Sequence, residues 1–323
     1  MTITIKRITA KYGILIILIA MCIVFAILSP AFLSLSNILN ILNQTAIWGI
    51  MALGITFVII AKGIDLSVGS VLALAGLVAA SLAQVPAQMK LYQSLPALPL
   101  IVPILAGLLV GALCGAINGA LIAFTRIPAF IATLGMMTIV RGFALIYSNA
   151  RPVSNLTPEM NAIGSRVGGV PVPILIYLFM IIVSYILLNK TRFGKNTFAI
   201  GGNITAAEVS GVNVSKNLVM IYAYCGLLAG IAAVVFAGRV GSVHPGAADG
   251  YELTAIAATT IGGTSHSGGI GTIGGALIGA LVLSVMRNGM TLLGFSPYSQ
   301  KILEGAIIIG AVVIDMRKTA RKR

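Results

Sequence analysis

The 323-residue chain is 58% hydrophobic and 9% charged, where soluble domains carry about 25% charged residues. With a mean hydropathy of +1.05, it has too few charges to cover a soluble surface, and its continuous apolar runs exclude a barrel of alternating segments about ten residues long. The net charge of +14 does not indicate nucleic acid, because its basic clusters flank apolar spans and so read as topology signals and contacts to anionic lipid.

In chain order, the apolar pattern predicts about ten transmembrane helices, each needing roughly 20 residues unless tilted or broken. The first span covers 13–29 and stops at Pro30 without an A-x-A site, which reads as an uncleaved helix. A linker over 31–45, with Asn37, Asn40 and Asn43, carries no charge. Spans follow at 46–61 and 68–84, separated by Gly63-Ile-Asp-Leu-Ser-Val-Gly69. The next two are 99–124 and 128–148, the latter opened by Pro128. Between 84 and 99 lies a loop with Pro86 and Lys90, and after 148 one with Arg151, Glu159 and Arg166. The sixth span is 171–189 and the seventh 218–238. A polar loop with His244, Asp249 and Glu252 leads into a short eighth span, 253–263, that ends in GGTSHSGG. The last two spans are 270–291 and 300–315.

Ten spans place both termini on one side. Fourteen basic residues fall in segments on that side and five on the other, so both termini and the 190–217 loop are expected in the cytoplasm. Spans two to five and seven to ten then form four-helix blocks of opposite topology, the arrangement of an inverted repeat. Each block has a Gly/Ser-rich interruption, at 63–70 and at 262–271. The chain reads as one transmembrane domain over 1–323.

The longest polar interval runs from Lys190 to Lys216, and Ala206 to Ser210 within it is long enough for about one to two helical turns. A short helix on the basic face of a membrane protein is a handle for a water-soluble partner. A Walker A sequence is absent, since the Gly194-Lys195 pair is followed by Asn196. If ATP drives this chain, another polypeptide hydrolyses it. Gly269-Ile-Gly-Thr-Ile-Gly274 fits G-x-G-x-x-G but precedes a membrane helix and lacks an acid about 20 residues on, so no dinucleotide is expected.

Ion-driven carriers hold carboxylates near mid-membrane. None of the seven acids here is placed like a proton relay: Asp65 sits in the first break, Glu304 near the outer end of the tenth span and Asp315 at its inner end. Arg141, Arg287 and Glu304 fall in the outer third of their spans, where an isolated charge is expensive and requires a partner or snorkelling. Glu304 is expected to pair with Arg287 across the hairpin of the last two spans. Asp65 and Ser67, just before a helix, suggest an N-cap and hinge, with substrate contact as the alternative. Trp48 fits an interface anchor. Gly107, Gly111, Gly115 and Gly119 form a stripe of small residues, as do Gly226/Gly230 and Gly271/Gly275/Gly279, which suits close helix packing and sliding. Cys22, Cys114 and Cys225 lie in apolar spans without metal spacing, and His244 and His266 are not placed as ligands. No metal or cofactor is expected.

Six stretches together carry a family resemblance: NILNQTAIWGIMALGITFVI within 37–59, GIDLSVGSVLAL (63–74), FIATLGMMTIVRG (130–142), AIGGNITAAEVSGVNV (199–214), GYELTAIAATTIGGTSHSGGIGT (250–272) and the NG…LLG stretch at 288–294. From end to end the sequence resembles the permease subunits of bacterial sugar ATP-binding-cassette importers of the ribose type. The resemblance implies a fold like the vitamin B12 and branched-chain amino-acid permeases. It implies a dimer of permeases in the inner membrane, a cytoplasmic ATPase and a periplasmic sugar-binding protein. It places ATPase coupling at Gly201, Gly202, Asn203, Ala206, Ala207, Glu208, Ser210 and Gly211. It is compatible with Asp65, Ser67, Gly69, Gly262, Gly263, Gly268 and Gly269 as path or hinge residues. Two departures stand out: Lys62 occupies a position usually uncharged in the family, and Glu208 follows rather than precedes the alanine pair of the importer signature E-A-A-x-x-x-G. Autoinducer-2, nucleosides and branched-chain amino acids remain alternative solutes, and a single-chain ion-coupled carrier is the rival from another class.

Overall fold

A long helix with almost no lipid-facing surface holds the molecule together. This helix, α2 (Leu35–Ile60), is buried on nearly every side from Thr45 to Ile60. The computed structural model describes residues 2–85, 90–96 and 98–320, and side chains among these except at 2–12, 314, 315 and 317–320. Pro86, the Asp315 side chain and the terminal basic side chains used for orientation therefore lie outside the described residues.

Around α2 stand α1 (Thr2–Leu28), α3 (Val68–Leu82), α4 (Ile101–Thr125) and α5 (Ala129–Tyr147). A short α6 (Pro158–Ala162) and a two-stranded ribbon, β1 (Arg166–Val167) paired antiparallel with β2 (Val170–Pro171), follow. Then come α7 (Val172–Lys190), α8 (Arg192–Gly202), α9 (Ile204–Val209) and α10 (Val214–Val240). The chain continues through α11 (Tyr251–Ile261), α12 (Ile273–Leu292) and α13 (Pro297–Ala320). Six of these helices, α2, α4, α5, α7, α10 and α12, are long and apolar enough to cross a membrane. The protein is all-helical in its large elements and polytopic in the membrane. Leu105, Phe124, Ile146 and Phe179 on α4, α5 and α7 are all more than half exposed, as a lipid-facing surface requires.

Within lipid no hydrophobic force draws helices together, so packing and small residues decide their contacts. The glycine stripe on α4 meets the matching glycines of α10. A side chain at Gly111 would strike the Gly226 carbonyl, one at Gly226 would strike the Gly111 carbonyl, and one at Gly115 would strike the Tyr222 carbonyl. A second stripe clamps α12 on α11, with Gly275 against the Gly262 carbonyl and Gly279 against the Ala258 carbonyl. α11 and α12 are thereby joined along their length.

Several expectations change. The uncharged linker over 31–45 is mostly helix, because α2 starts at Leu35 under a Ser34 N-cap that accepts from the Asn37 amide at 3.3 Å. Its first asparagine is paired rather than looped: Asn37 and Asn288 exchange side-chain amide bonds of 3.0 and 2.9 Å. Trp48 is not an interface anchor. It is buried, donates to Ser284 Oγ at 3.0 Å and meets Tyr251 edge-on at 5.6 Å. The polar interval forms two helices, α8 and α9, each started by a side-chain cap, Thr191 and Asn203.

Asp65 does not cap α3. Ser67 occupies the N-cap position without a side-chain bond to the helix. Asp65 Oδ1 instead accepts from Ser67 N at 2.9 Å and Ser67 Oγ at 2.6 Å. The bend closes on itself one step before the helix begins.

Candidate functional site

Among the described residues, one cluster of polar groups lies at each end of the α11–α12 pair. The first is a junction beneath α9. Asn203 Oδ1 accepts from the Ala206 amide at 3.0 Å and starts the short helix. Gly211, at φ +83°, ends it, with its amide on the Glu208 carbonyl and Val212 N on the Ala207 carbonyl. Left-handed backbone at this position suits a glycine. Ala207 is buried and anchors the helix, while Glu208, Ser210 and Val209 face outward, Val209 at 86% exposure.

The end of α8 is wedged into the core. A side chain at Gly201 would collide with the Ile60 carbonyl and the Gly269 amide. Gly269 N itself donates to Ile60 O at 2.8 Å. Lys62, in the left-handed region at φ +62°, donates from Nζ to the Gly202 carbonyl at 3.3 Å, and its stem covers Gly268. Three segments distant in sequence therefore meet in one knot: the end of α2, the end of α8 and the Gly268-Gly269 turn. Gly201, Gly202, Gly268 and Gly269 are brought together, with Lys62 added.

The first break is packed separately. Asp65 and Ser67 are each 1% exposed and face protein, not an open cavity. Asn118 of α4 donates to Ser67 Oγ at 2.9 Å. Thr133 of α5 and Tyr222 of α10 reach the Ile64 carbonyl at 3.3 and 3.4 Å. At Gly69, the Glu252 carboxylate and the Ala248 carbonyl fill the space a side chain would need. Gly262 and Gly263 close α11, the former against Gly275 and the latter at φ +86°.

The second place is an open pocket of about 490 Å³ between the start of α11, the last turns of α12 and the first turns of α13. Its walls include Asp249, Tyr251, Glu252, Arg287, Lys301 and Glu304. Arg287 Nη2 reaches both oxygens of Glu304, at 2.6 and 2.5 Å, so the expected hairpin pair is present. Thr254 donates to Glu304 Oε1 at 2.7 Å and accepts from Arg287 at 2.9 Å. Behind the pair, the Arg287 guanidinium lies 4.7 Å over the Trp48 ring. The guanidinium on α12, a helix apolar enough to cross a membrane, is thus held by an opposite charge, a hydroxyl and a π face.

Among the described residues Arg141 forms no ion pair. Its Nη1 donates to the Pro245 and Ala247 carbonyls at 2.6 and 3.0 Å and pins the 241–250 loop to α5. Sequence reasoning singled out Arg287 and Glu304 but not Tyr251 or Lys301 beside them. The available signal was the polar run Asp249-Gly-Tyr-Glu252 immediately ahead of an unusually short helix.

The family model described as branched-chain amino acid transport system / permease component matches residues 37–312. The ribose import permease protein RbsC of Escherichia coli K12 is 42% identical over 309 residues, 94% of this chain and 93% of that protein. RbsC of Bacillus subtilis is 42% identical over 314 residues, 96% of this chain and 94% of that protein. The galactose/methyl galactoside import permease protein MglC of E. coli K12 is 41% identical over 320 residues, 96% of this chain and 95% of that protein. No solved structure matches. With a match spanning most of its length and relatives above 40% identity end to end, the chain belongs to the branched-chain amino acid transport system / permease component family.

Proposed function

We propose that this chain is the permease subunit of an ATP-binding-cassette importer in the bacterial inner membrane, and that it moves a monosaccharide, ribose or a similar pentose or hexose, into the cytoplasm. It is a transport subunit and not an enzyme. ATP is hydrolysed by a cytoplasmic ATPase, and a periplasmic binding protein delivers the sugar. End-to-end identity above 40% to ribose and galactose import permeases is the observation that carries this reading.

The mechanism is alternating access. ATP closes the partner's two nucleotide sites and draws together the α8–α9 segments of two permease copies. Gly201, Gly202, Asn203, Ala206, Ala207, Glu208, Ser210 and Gly211 make the coupling surface. The wedge of Gly201 between Ile60 and Gly269 supports this assignment, because displacement of α8 cannot leave α2 or the 264–271 turn in place. Gly69, Gly262, Gly263, Gly268 and Gly269 act as hinge points, with Asp65 and Ser67 as the fixed bend of the first break.

The finer architecture follows the same reading. Ten crossings, counting the short α3 and α11, form two inverted blocks, α2–α5 and α10–α13, and leave both termini cytoplasmic. α3, with 15 residues, and α11, with 11, are each too short to span alone and each adjoins a glycine-rich break. The exposed apolar residues of α13, including Tyr298 and Ile302, meet a second copy or lipid.

Reconstitution with the ATPase and binding protein in proteoliposomes tests the function. ATP-dependent accumulation of a labelled monosaccharide that survives collapse of the proton gradient is expected. Uptake that needs the gradient would establish the ion-coupled carrier instead. Accumulation of a nucleoside or amino acid, with no sugar moved, would replace the substrate class.

A further inference from the structure

α2 ends in a cap whose left-handed position favours glycine. Gly63 N donates to the Val58 carbonyl at 2.8 Å and Lys62 N to the Ile59 carbonyl at 2.9 Å, the paired bonds of a Schellman motif. The residue in the left-handed position is Lys62, at φ +62°. A side chain there is strained, and glycine carries no such penalty. Lys62 is also exposed, so core packing does not account for it. Its contacts do. A first side-chain carbon at Gly268 would strike both Lys62 Cγ and the Gly201 carbonyl, so the lysine stem and the end of α8 enclose that glycine. Beyond the stem, Nζ donates to the Gly202 carbonyl at 3.3 Å. Gly202 is the last residue of α8. One lysine thus stands at the C-terminal ends of two helices, where each macrodipole favours a cation.

The contacts at this corner differ in what they transmit. Gly201 against the Ile60 carbonyl is a steric wedge. Such a contact passes a push, but it loses up to about half of its attraction over about 1 Å of separation. The bond from Gly269 N to Ile60 O joins the turn to α2 and does not include α8. At the far end of α8, Phe193 stacks on Phe57 at 5.5 Å. The Lys62 bond supplies an attractive polar link at the end next to α9.

We propose that Lys62 is a positioning residue for coupling. Its side chain clasps the α8–α9 corner to the end of α2 and to the Gly268 turn, so that these follow the corner when it is drawn back as well as when it is pressed in. The role rests on the reading of the chain as an importer driven by an ATPase at α8–α9, and it adds the side chain that makes the junction hold in both directions. Lys62→Gly removes the clasp and the backbone strain together, so a merely structural lysine and a clasp give opposite results.

The test uses the assembled transporter in proteoliposomes, with ATP hydrolysis and sugar accumulation measured on the same vesicles. Lys62→Gly should unfold in detergent at or above the temperature of the parent and keep its ATPase. It should nevertheless move about fivefold less sugar per ATP hydrolysed, the order of one net hydrogen bond. Lys62→Met keeps the stem over Gly268 and loses the donor, so its ratio should fall in the same direction with the unfolding temperature unchanged. Lys62→Arg restores a cation and a donor and should recover most of the ratio. If Lys62→Gly and Lys62→Met move as much sugar per ATP as a parent that transports, the clasp is overturned and the importer reading stands. The same holds if they lose sugar only in step with unfolding temperature or bound ATPase. If the parent moves no monosaccharide, the importer reading falls and the clasp falls with it.

Discussion

The carbonyl of Ile60 occupies the space where a side chain on residue 201 would begin. That single approach ties the last turn of α8 to the last turn of α2, and the Gly269 amide, bonded to the same carbonyl at 2.8 Å, closes the triangle. A segment fastened in this way cannot shift without moving the core behind it.

Gly201→Ala should therefore be severe. The added methyl meets backbone on two sides and has no flexible neighbour to displace, and overpacking of this kind costs about 1–3 kcal/mol. ATP-driven uptake should fall to background. Gly274→Ala, at the start of α12 and outside the coupling surface, is the control, because no atom lies within 4 Å of its added carbon. Equal uptake by the two variants in the reconstituted assay would remove the wedge from the mechanism.

The helix stripes allow a second paired comparison. A methyl at Gly115 meets the Tyr222 carbonyl of α10, whereas Gly135 on α5 has nothing near it. Gly115→Ala should separate α4 from α10 and destabilise the protein by about 1–3 kcal/mol. Gly135→Ala should gain slightly in helix propensity, less than about 1 kcal/mol. Thermal unfolding in detergent reads both, and a Gly115→Ala protein as stable as the parent would show that the stripe is not a close contact.

How far the sequence foretold these contacts depends on their sequence distance. Arg287 and Glu304 were legible because two opposite charges stood in neighbouring apolar spans joined by a short turn, leaving little else for either to meet. The glycines at 107, 111, 115 and 119 were legible as a stripe, though not that Gly226 and Gly230 face them. Gly201 against Ile60 was invisible, since it joins residues about 140 positions apart through a third segment. α8 was missed because Gly, Asn and Thr in RFGKNTFAIGG lower helix propensity, and its place is set by Thr191 and the core beneath it. Trp48 misled because a lone tryptophan near a span end usually marks the interface, while Ser284 and Arg287 give it a buried position here.

The buried ion pair yields the third prediction. Glu304→Leu strands the Arg287 guanidinium with only Thr254 and the Trp48 face; loss of one partner of a fully buried pair costs about 3–5 kcal/mol, and the cost here is smaller because Arg287 is 21% exposed. The double variant Arg287→Met/Glu304→Leu removes both charges and should recover most of that loss. A double-mutant cycle of unfolding temperatures measures the coupling. Additive losses would mean that the two residues do not act as a pair.

The fourth prediction concerns the outward face of α9. Val209 is 86% exposed and Ile204 42%, two large apolar side chains on the outward face beside Thr205, Ala206 and Glu208, with Ala207 buried beneath them. Exposed apolar residues on a rigid, capped helix cost solubility unless a partner covers them. Replacement of Val209 by Asp touches no neighbour in the permease, so its folding stability should change by less than about 0.5 kcal/mol. At a docking surface the same change places a charge in an apolar contact, and a central contact of this kind is worth about 2 kcal/mol or more. The ATPase should then co-purify at least about tenfold less well, and ATP-driven uptake should fall in step while the unfolding temperature stays put. Full retention of the ATPase by the Val209→Asp protein would mean that the motor docks elsewhere, and the Gly201 wedge would then be a structural brace without a part in coupling.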